Sequence, residues 1–295
     1  MIPMKQLLLI CAVVALVGCG KKDDGNAGVV NPNKPSPKAA SEKLISNPIF
    51  ENAIRRQLQE SGHPELVFPK PAELTKADLE KVMELSLSNN KLTDVKGLEK
   101  LTQLRDLDLG DNRLTDVTGL EKLMQLTHLY LGGNLMPEPP KGLEKLTQLE
   151  TLDLQQNLLT SVKGLEKLTQ LTSLNLDWNQ LTDLNGLENL TQLKELYLST
   201  NYQLTDVKGL EKLDQLTELS LNRSSLTKLP KGLEKLTQLE RLELGHNQLT
   251  DVKGLENLTQ LKDLRLYGNP DLTKAQIAEL KKALPKCKIL SNPTK

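Results

Sequence analysis

Few side chains in this sequence are spaced to do chemistry. Asp106 and Asp108 lie two residues apart, so in a strand their carboxylates share a face about 7 Å apart, within reach of glycoside chemistry. A sheet open to solvent offers no dry pocket to raise their pKa values, so both are expected to be solvated surface acids. Asp108 and Asp111 could contribute at most to a weak calcium site. Cys11, Cys19 and Cys287 are too few and too scattered for a zinc site. Cys287, within Leu284-Pro285-Lys286-Cys287-Lys288-Ile289, reads as a small hydrophobe in a terminal cap, with no neighbouring base to make it a nucleophile. No glycine-rich phosphate loop is present, and the sequons at Asn189 and Asn257 fall out of an internal periodicity. The reading is therefore not an enzyme: no catalytic residue, no metal and no cofactor is assigned.

The 295 residues carry 38 Lys+Arg against 38 Asp+Glu, a formal net charge of +0. A neutral chain lacks the basic stripe of a nucleic-acid binder, and 38% apolar content is not that of a disordered acidic chain. Leucine accounts for 66 residues, while Phe, Tyr and Trp together number seven. An ordinary core of this size uses more aromatics. Apolar volume drawn from one residue type points to a repeated unit.

From residue 82 one pattern recurs: L-x-x-L-x-L-x-x-N-x-L, then a stretch close to T-D-V-x-G-L-E-K-L-T-Q. Copies begin at Val82, Leu104, Leu126, Leu149, Leu171, Leu193, Leu216, Leu239 and Leu261, spaced by 22 or 23 residues. These motifs resemble the leucine-rich repeat family, and their spacing is similar to that of its internalin-like bacterial class. The resemblance covers roughly residues 82–290 and implies an α/β repeat fold. That fold is a curved solenoid, with a parallel sheet on its concave side, short α or 3-10 helices on its convex side and helical caps. Elementary geometry agrees. Strands about 4.8 Å apart and helices about 8–10 Å apart can stack together only if the stack bends towards the strands. One unit cannot bury its leucines alone, whereas stacked units share a continuous core. By the same strand spacing His128 and His246, five repeats apart, are separated by roughly 24 Å and share no metal.

The asparagine column (Asn90, Asn112, Asn134, Asn157, Asn179, Asn201, Asn247, Asn269) is expected to turn inward and satisfy backbone groups of adjacent coils. Ser224 interrupts it and should be its weakest point. The glycines of each G-L-E stretch should serve a tight turn. Asn47-Pro48 opens an N-terminal capping helix carrying Phe50, Ile54 and Leu58, which Gly62 ends; Phe68 should also cover the first coil. Thr75 to Asp78 and Thr273 to Gln276 have capping-box spacing, the second leading a helix through Ile277, Leu280 and Leu284.

Upstream, Lys5 precedes an eleven-residue apolar run, Leu7 to Val17, too short to span a bilayer but suited to a signal peptide. Leu16-Val17-Gly18-Cys19 resembles the bacterial lipobox, which implies cleavage before Cys19 and lipidation of that residue. Gly20 after the cysteine then suggests outer-membrane sorting in a Gram-negative host. The resulting organisation is 1–18 signal peptide, 19–45 lipidated cysteine and flexible tether, 46–81 N-terminal helical cap, 82–272 nine repeats, and 273–295 C-terminal helical cap and tail.

What remains for function is the concave face, whose outward positions are the third, fifth and seventh of each motif. Nine of these 27 positions are acidic: Glu84, Asp106, Asp108, Asp153, Asp177, Glu195, Glu218, Glu243 and Asp263. Only Arg241 and Arg265 oppose them. Such a face favours a basic or polar partner. Every aromatic of the repeats (Tyr130, Trp178, Tyr197, Tyr202, Tyr267) avoids the core leucine positions, and Trp and Tyr are the usual anchors of binding surfaces. The candidate partner-binding site is therefore Trp178, Tyr197 and Tyr202, with Tyr130, Asp153 and Glu195 around them. The expected protein is a monomeric recognition module of the bacterial cell envelope, tethered to a membrane by Cys19, binding a protein or peptide but no nucleic acid. The alternative is a spacer lipoprotein without a specific ligand, which the near-uniform repeats favour and the aromatics oppose.

Overall fold

A computed structural model describes residues 43–63, 73–205 and 207–293. The signal segment 1–18, Cys19, the tether up to residue 42 and Phe68 lie outside the described residues. Helix α1 (Pro48–Glu60) starts where Asn47 accepts the Ile49 N–H through its side chain and proline takes the first position. Phe50, Ile54 and Leu58, recurring every fourth residue, form its fully buried stripe. Helix α2 (Lys76–Leu79) and helix α3 (Lys274–Ala283) both begin with complete capping boxes, Thr75 with Asp78 and Thr273 with Gln276.

Between the caps each motif contributes a three-residue strand: β1 (Glu84–Ser86), β2 (Asp106–Asp108), β3 (His128–Tyr130), β4 (Thr151–Asp153), β5 (Ser173–Asn175), β6 (Glu195–Tyr197), β7 (Glu218–Ser220), β8 (Arg241–Glu243) and β9 (Asp263–Arg265). They pair in parallel, in sequence order, as one curved sheet with motif positions in register. The central leucine of each strand points inward and the flanking residues outward, the alternation a strand requires. The sequence reading ends the sheet at nine copies and leaves a tail. The structure adds a tenth strand, β10 (Lys288–Leu290), paired with β9. Lys288-Ile289-Leu290 keeps one inward Ile289 but none of the surrounding motif, which is why periodicity does not reveal it. Cys287 beside it is half-buried against the core, and burial raises its thiol pKa.

The convex side is built from 3-10 turns such as Leu98–Lys100 and Leu120–Lys122. Each follows a glycine in the left-handed region, φ 110° at Gly97 and Gly119, where a Cβ would be strained. The glutamate two residues on accepts that glycine's N–H, Glu99 and Glu121 each at 2.6 Å. The G-L-E signature is thus a self-capping turn, and these backbone donors hold the Glu121 carboxyl below its usual range.

The asparagine ladder forms. The Asn179 side chain donates to Leu154 O and Leu176 O and accepts the Leu159 N–H, so one amide ties two coils together. Asn90 departs from expectation: it is exposed, because no coil of the motif precedes it, and its side-chain amide donates only to Ser88 O while its backbone N–H donates to the Asn112 side chain. Ser224 is fully buried but reaches Leu198 O and Asn222 O only at 3.3 and 3.5 Å, the thin rung its shorter side chain predicts.

Candidate functional site

The strands place every third, fifth and seventh motif residue on the concave face. Along the fifth-position row the register sets Asp108, Tyr130, Asp153, Asn175 and Tyr197 on five successive strands. Glu195 lies on the third-position row, where its carboxylate accepts the Ser173 hydroxyl at 2.9 Å. Tyr130, Asp153, Glu195 and Tyr197 are half-buried against their neighbours. Trp178 and Tyr202 stand at the exits of β5 and β6 and are exposed.

The six candidate residues do not converge on one pocket. Tyr130 and Asp153 line a groove of about 560 Å³ over β1–β4, shared with Asp106, Asp108, Asp111 and Gln155. Trp178, Glu195, Tyr197 and Tyr202 lie one to two coils beyond it and line none of it. The arrangement is an acidic groove continued by an aromatic ledge.

Charge is also distributed unevenly. On β7–β9 the acids are paired: Arg241 with Glu218 at 3.6 Å, and Arg265 with Glu243 at 2.6 Å and Asp263 at 3.4 Å. Among the described residues Glu84, Asp106, Asp108, Asp153, Asp177 and Glu195, on or just after β1–β6, form no ion pair with a Lys or Arg. The sequence count alone makes the acid excess look uniform. Ion pairing confines the uncompensated part to the first six strands.

The expectation of a freely solvated surface acid does not hold for Asp106, which is half-buried. Burial raises the pKa of Asp106 and Asp153. It pushes Asp177 to about 6, even though the Ser199 N–H donates to its carboxylate at 2.5 Å, with Glu243 and Asp153 adding repulsion. The Tyr197 hydroxyl is pushed up to about 12 by burial and by the carboxylates of Glu218 and Glu195. The cause is the sheet's curvature and tight stacking: neighbouring rows shield one another, and motif spacing carries no record of that.

One backbone feature escapes motif reading. The eighth motif residue turns the chain off each strand with positive φ in every coil, from Asn89 (58°) through Asp111 (53°) to His246 (53°) and Gly268 (72°). Trp178 occupies that place at φ 57°. Asn, Asp and Gly suit the left-handed region, whereas a tryptophan there costs about 1–2 kcal/mol. The repeat imposes the conformation, and nothing in folding asks for that side chain.

No group of three or more His, Cys, Asp or Glu side chains close enough to hold a metal ion occurs among the described residues. Nor is any described helix long and apolar enough to cross a membrane.

Two family profiles match the chain: "Leucine Rich repeats (2 copies)", over residues 84–122, 102–145, 147–189 and 169–212, and "Leucine rich repeat", over 214–270. No curated protein sequence matches it. Among solved structures it is similar to internalin C2 of Listeria monocytogenes, with 30% identity, 76% of this chain and 94% of that one covered, and a TM-score of 0.65. It is similar to a leucine-rich repeat protein of Leptospira interrogans at 31% identity, over 72% of this chain and 62% of that one, with a TM-score of 0.59. The plant peptide hormone receptor RGFR1, solved in complex with RGF2, shares the fold at 23% identity over 71% of this chain and 35% of that one, with a TM-score of 0.59.

Proposed function

The chain belongs to the leucine-rich repeat family, with an internalin-like repeat, and we propose that its concave face docks a basic or polar segment of a protein partner. The fold is in general a scaffold for protein recognition rather than catalysis. The observation that carries the proposal is the uncompensated acidic stretch over β1–β6, with exposed Trp178 beside it. A partner's Lys or Arg side chains would relieve desolvated carboxylates, and large aromatic anchors supply contact area at low entropic cost. Tethering by a lipid on Cys19 belongs to the same reading and places the solenoid in the bacterial cell envelope.

The test is capture from envelope extract by the full chain and two double variants. Trp178→Gly with Tyr197→Ala should weaken capture by well over tenfold without lowering the melting transition, since neither side chain fills the leucine core. Lys163→Glu with Lys167→Glu, on the convex side, should leave it unchanged. A partner lost with the convex pair and retained by the concave pair sinks the proposal.

A further inference from the structure

Seven large apolar or aromatic side chains are exposed among the described residues. Four of them, Leu135 (46% exposed), Leu158 (40%), Trp178 (52%) and Tyr202 (57%), stand on one edge of the solenoid, one in each of four consecutive coils. Trp178 is the eighth residue of its motif; Leu135, Leu158 and Tyr202 are the tenth of theirs, all just past the strand exit. The coils are stitched together along this edge: Leu135 N–H donates to Leu114 O and Leu158 N–H to Met136 O, both at 2.9 Å. At about 4.8 Å per coil, the four side chains form a ribbon roughly 15 Å long. Along the tenth-position row Lys91 and Arg113 precede the ribbon, and Ser225 and Gln248 follow it. In the fifth coil the place is taken by Gln180, with Trp178 two residues before it supplying the apolar surface.

Leu135 and Leu158 do not fill the core. The inward positions of their coils are filled by Met136 and Leu159, both fully buried. In a chain with 66 leucines the two extra ones are hidden by composition, and only their exposure sets them apart. Large apolar side chains exposed in four successive coils on an otherwise polar edge mark a contact site.

We infer that this ribbon is the second wall of the docking surface and that its occupant is an amphipathic, basic protein segment. The segment lays its apolar side along Leu135, Leu158, Trp178 and Tyr202 and extends its Lys or Arg side chains into the acidic groove. The two walls share a border: Gly133 and Gln156, which line the groove, precede Leu135 and Leu158 by two residues. Charge selects the occupant. A second copy of this face would set its unpaired acids against their own kind, and an anionic bilayer would be repelled by the same carboxylates. The inference rests on the concave-face reading and narrows it, because a partner that is basic but wholly polar would leave the ribbon bare.

Three synthetic peptides of equal length test it by fluorescence anisotropy against the full chain: Leu/Lys amphipathic, Gln/Lys polar and Leu/Glu amphipathic. The Leu/Lys peptide should bind at least about tenfold more tightly than either other. Leu135→Ser with Leu158→Ser should reduce it to the level of the Gln/Lys peptide, with an unchanged circular dichroism melt. Asp108→Asn with Asp153→Asn should weaken both basic peptides. Unchanged Leu/Lys binding in the Leu135/Leu158 variant overturns the ribbon. If the Tyr130→Ala, Tyr197→Ala pair still abolishes binding, the concave-face reading stands without it; independence from both pairs sinks both. Equal binding of the Leu/Glu peptide overturns the basic partner. Wild-type dimerisation lost in the Leu135/Leu158 variant assigns the ribbon to a second copy and overturns the inference. So does capture of anionic vesicles that is lost in the same variant.

Discussion

Asp177 and Trp178 are neighbours in sequence, and each bears a local cost the leucine core does not require. Burial raises the Asp177 pKa from 3.8 to about 6. Between those values the folded chain holds a proton that the unfolded chain releases, so this residue's contribution makes stability fall as pH rises, levelling above about pH 6. Asp177→Asn keeps an oxygen for the Ser199 N–H and removes the buried charge. It should therefore stabilise the protein at neutral pH by about 1–2 kcal/mol, after discounting for partial exposure, with the gain vanishing near pH 4. Urea midpoints of both proteins across that range check this; a gain that grows towards acid contradicts the assignment. The residue scale was the least legible in the sequence. Trp178, Tyr197 and Tyr202 were visible because aromatics off the leucine positions are conspicuous. The desolvation of Asp106, Asp153 and Asp177 was not, because it depends on how closely successive strands shield one another. The left-handed turn at the eighth motif residue was hidden too: its occupants (Asn89, Asp111, Gly133, Gln156, Trp178, Thr200, Arg223, His246, Gly268) share no side-chain type.

At the scale of the element, strand, turn and ladder followed from motif spacing, because each rests on a residue type that recurs every 22 or 23 positions. Glycine marks the positive φ, leucine the inward face and asparagine the coil-to-coil bonds. The exceptions lie where the period breaks. β10 has a single inward residue and no motif, and Asn90 has no preceding coil to bond. The ladder gives a graded stability test. Leu174→Ala should cost about 2–5 kcal/mol as a mid-stack truncation. Asn179→Ala should cost about 1–3 kcal/mol by stranding the Leu159 N–H and two carbonyls. Ser224→Ala should cost distinctly less, because the bonds it loses are 3.3 and 3.5 Å long. A Ser224 cost equal to that of Asn179 would mean that the rung is not weakened there.

At the scale of the molecule, the solenoid turns one-dimensional repetition into a two-sided surface. The convex side repeats almost without variation, as Gly-Leu-Glu-Lys-Leu-Thr-Gln, while the rows of the concave face differ from strand to strand. Variation confined to one side of an otherwise copied unit is what a recognition surface requires and a spacer does not. Orientation on the membrane depends on the proposed anchor: Cys19→Ser should move the protein from the membrane pellet to the soluble fraction, and a variant still pelleted after high-salt washing would refute the lipid. The central claim, that the concave face and its rim carry the partner, is tested most directly by photo-crosslinking in producing cells. A benzoylphenylalanine would be placed at Tyr197 on the concave side or at Lys167 on the convex side. The account predicts a discrete adduct of one partner from Tyr197 and none from Lys167. An adduct from Lys167 with none from Tyr197 would contradict it.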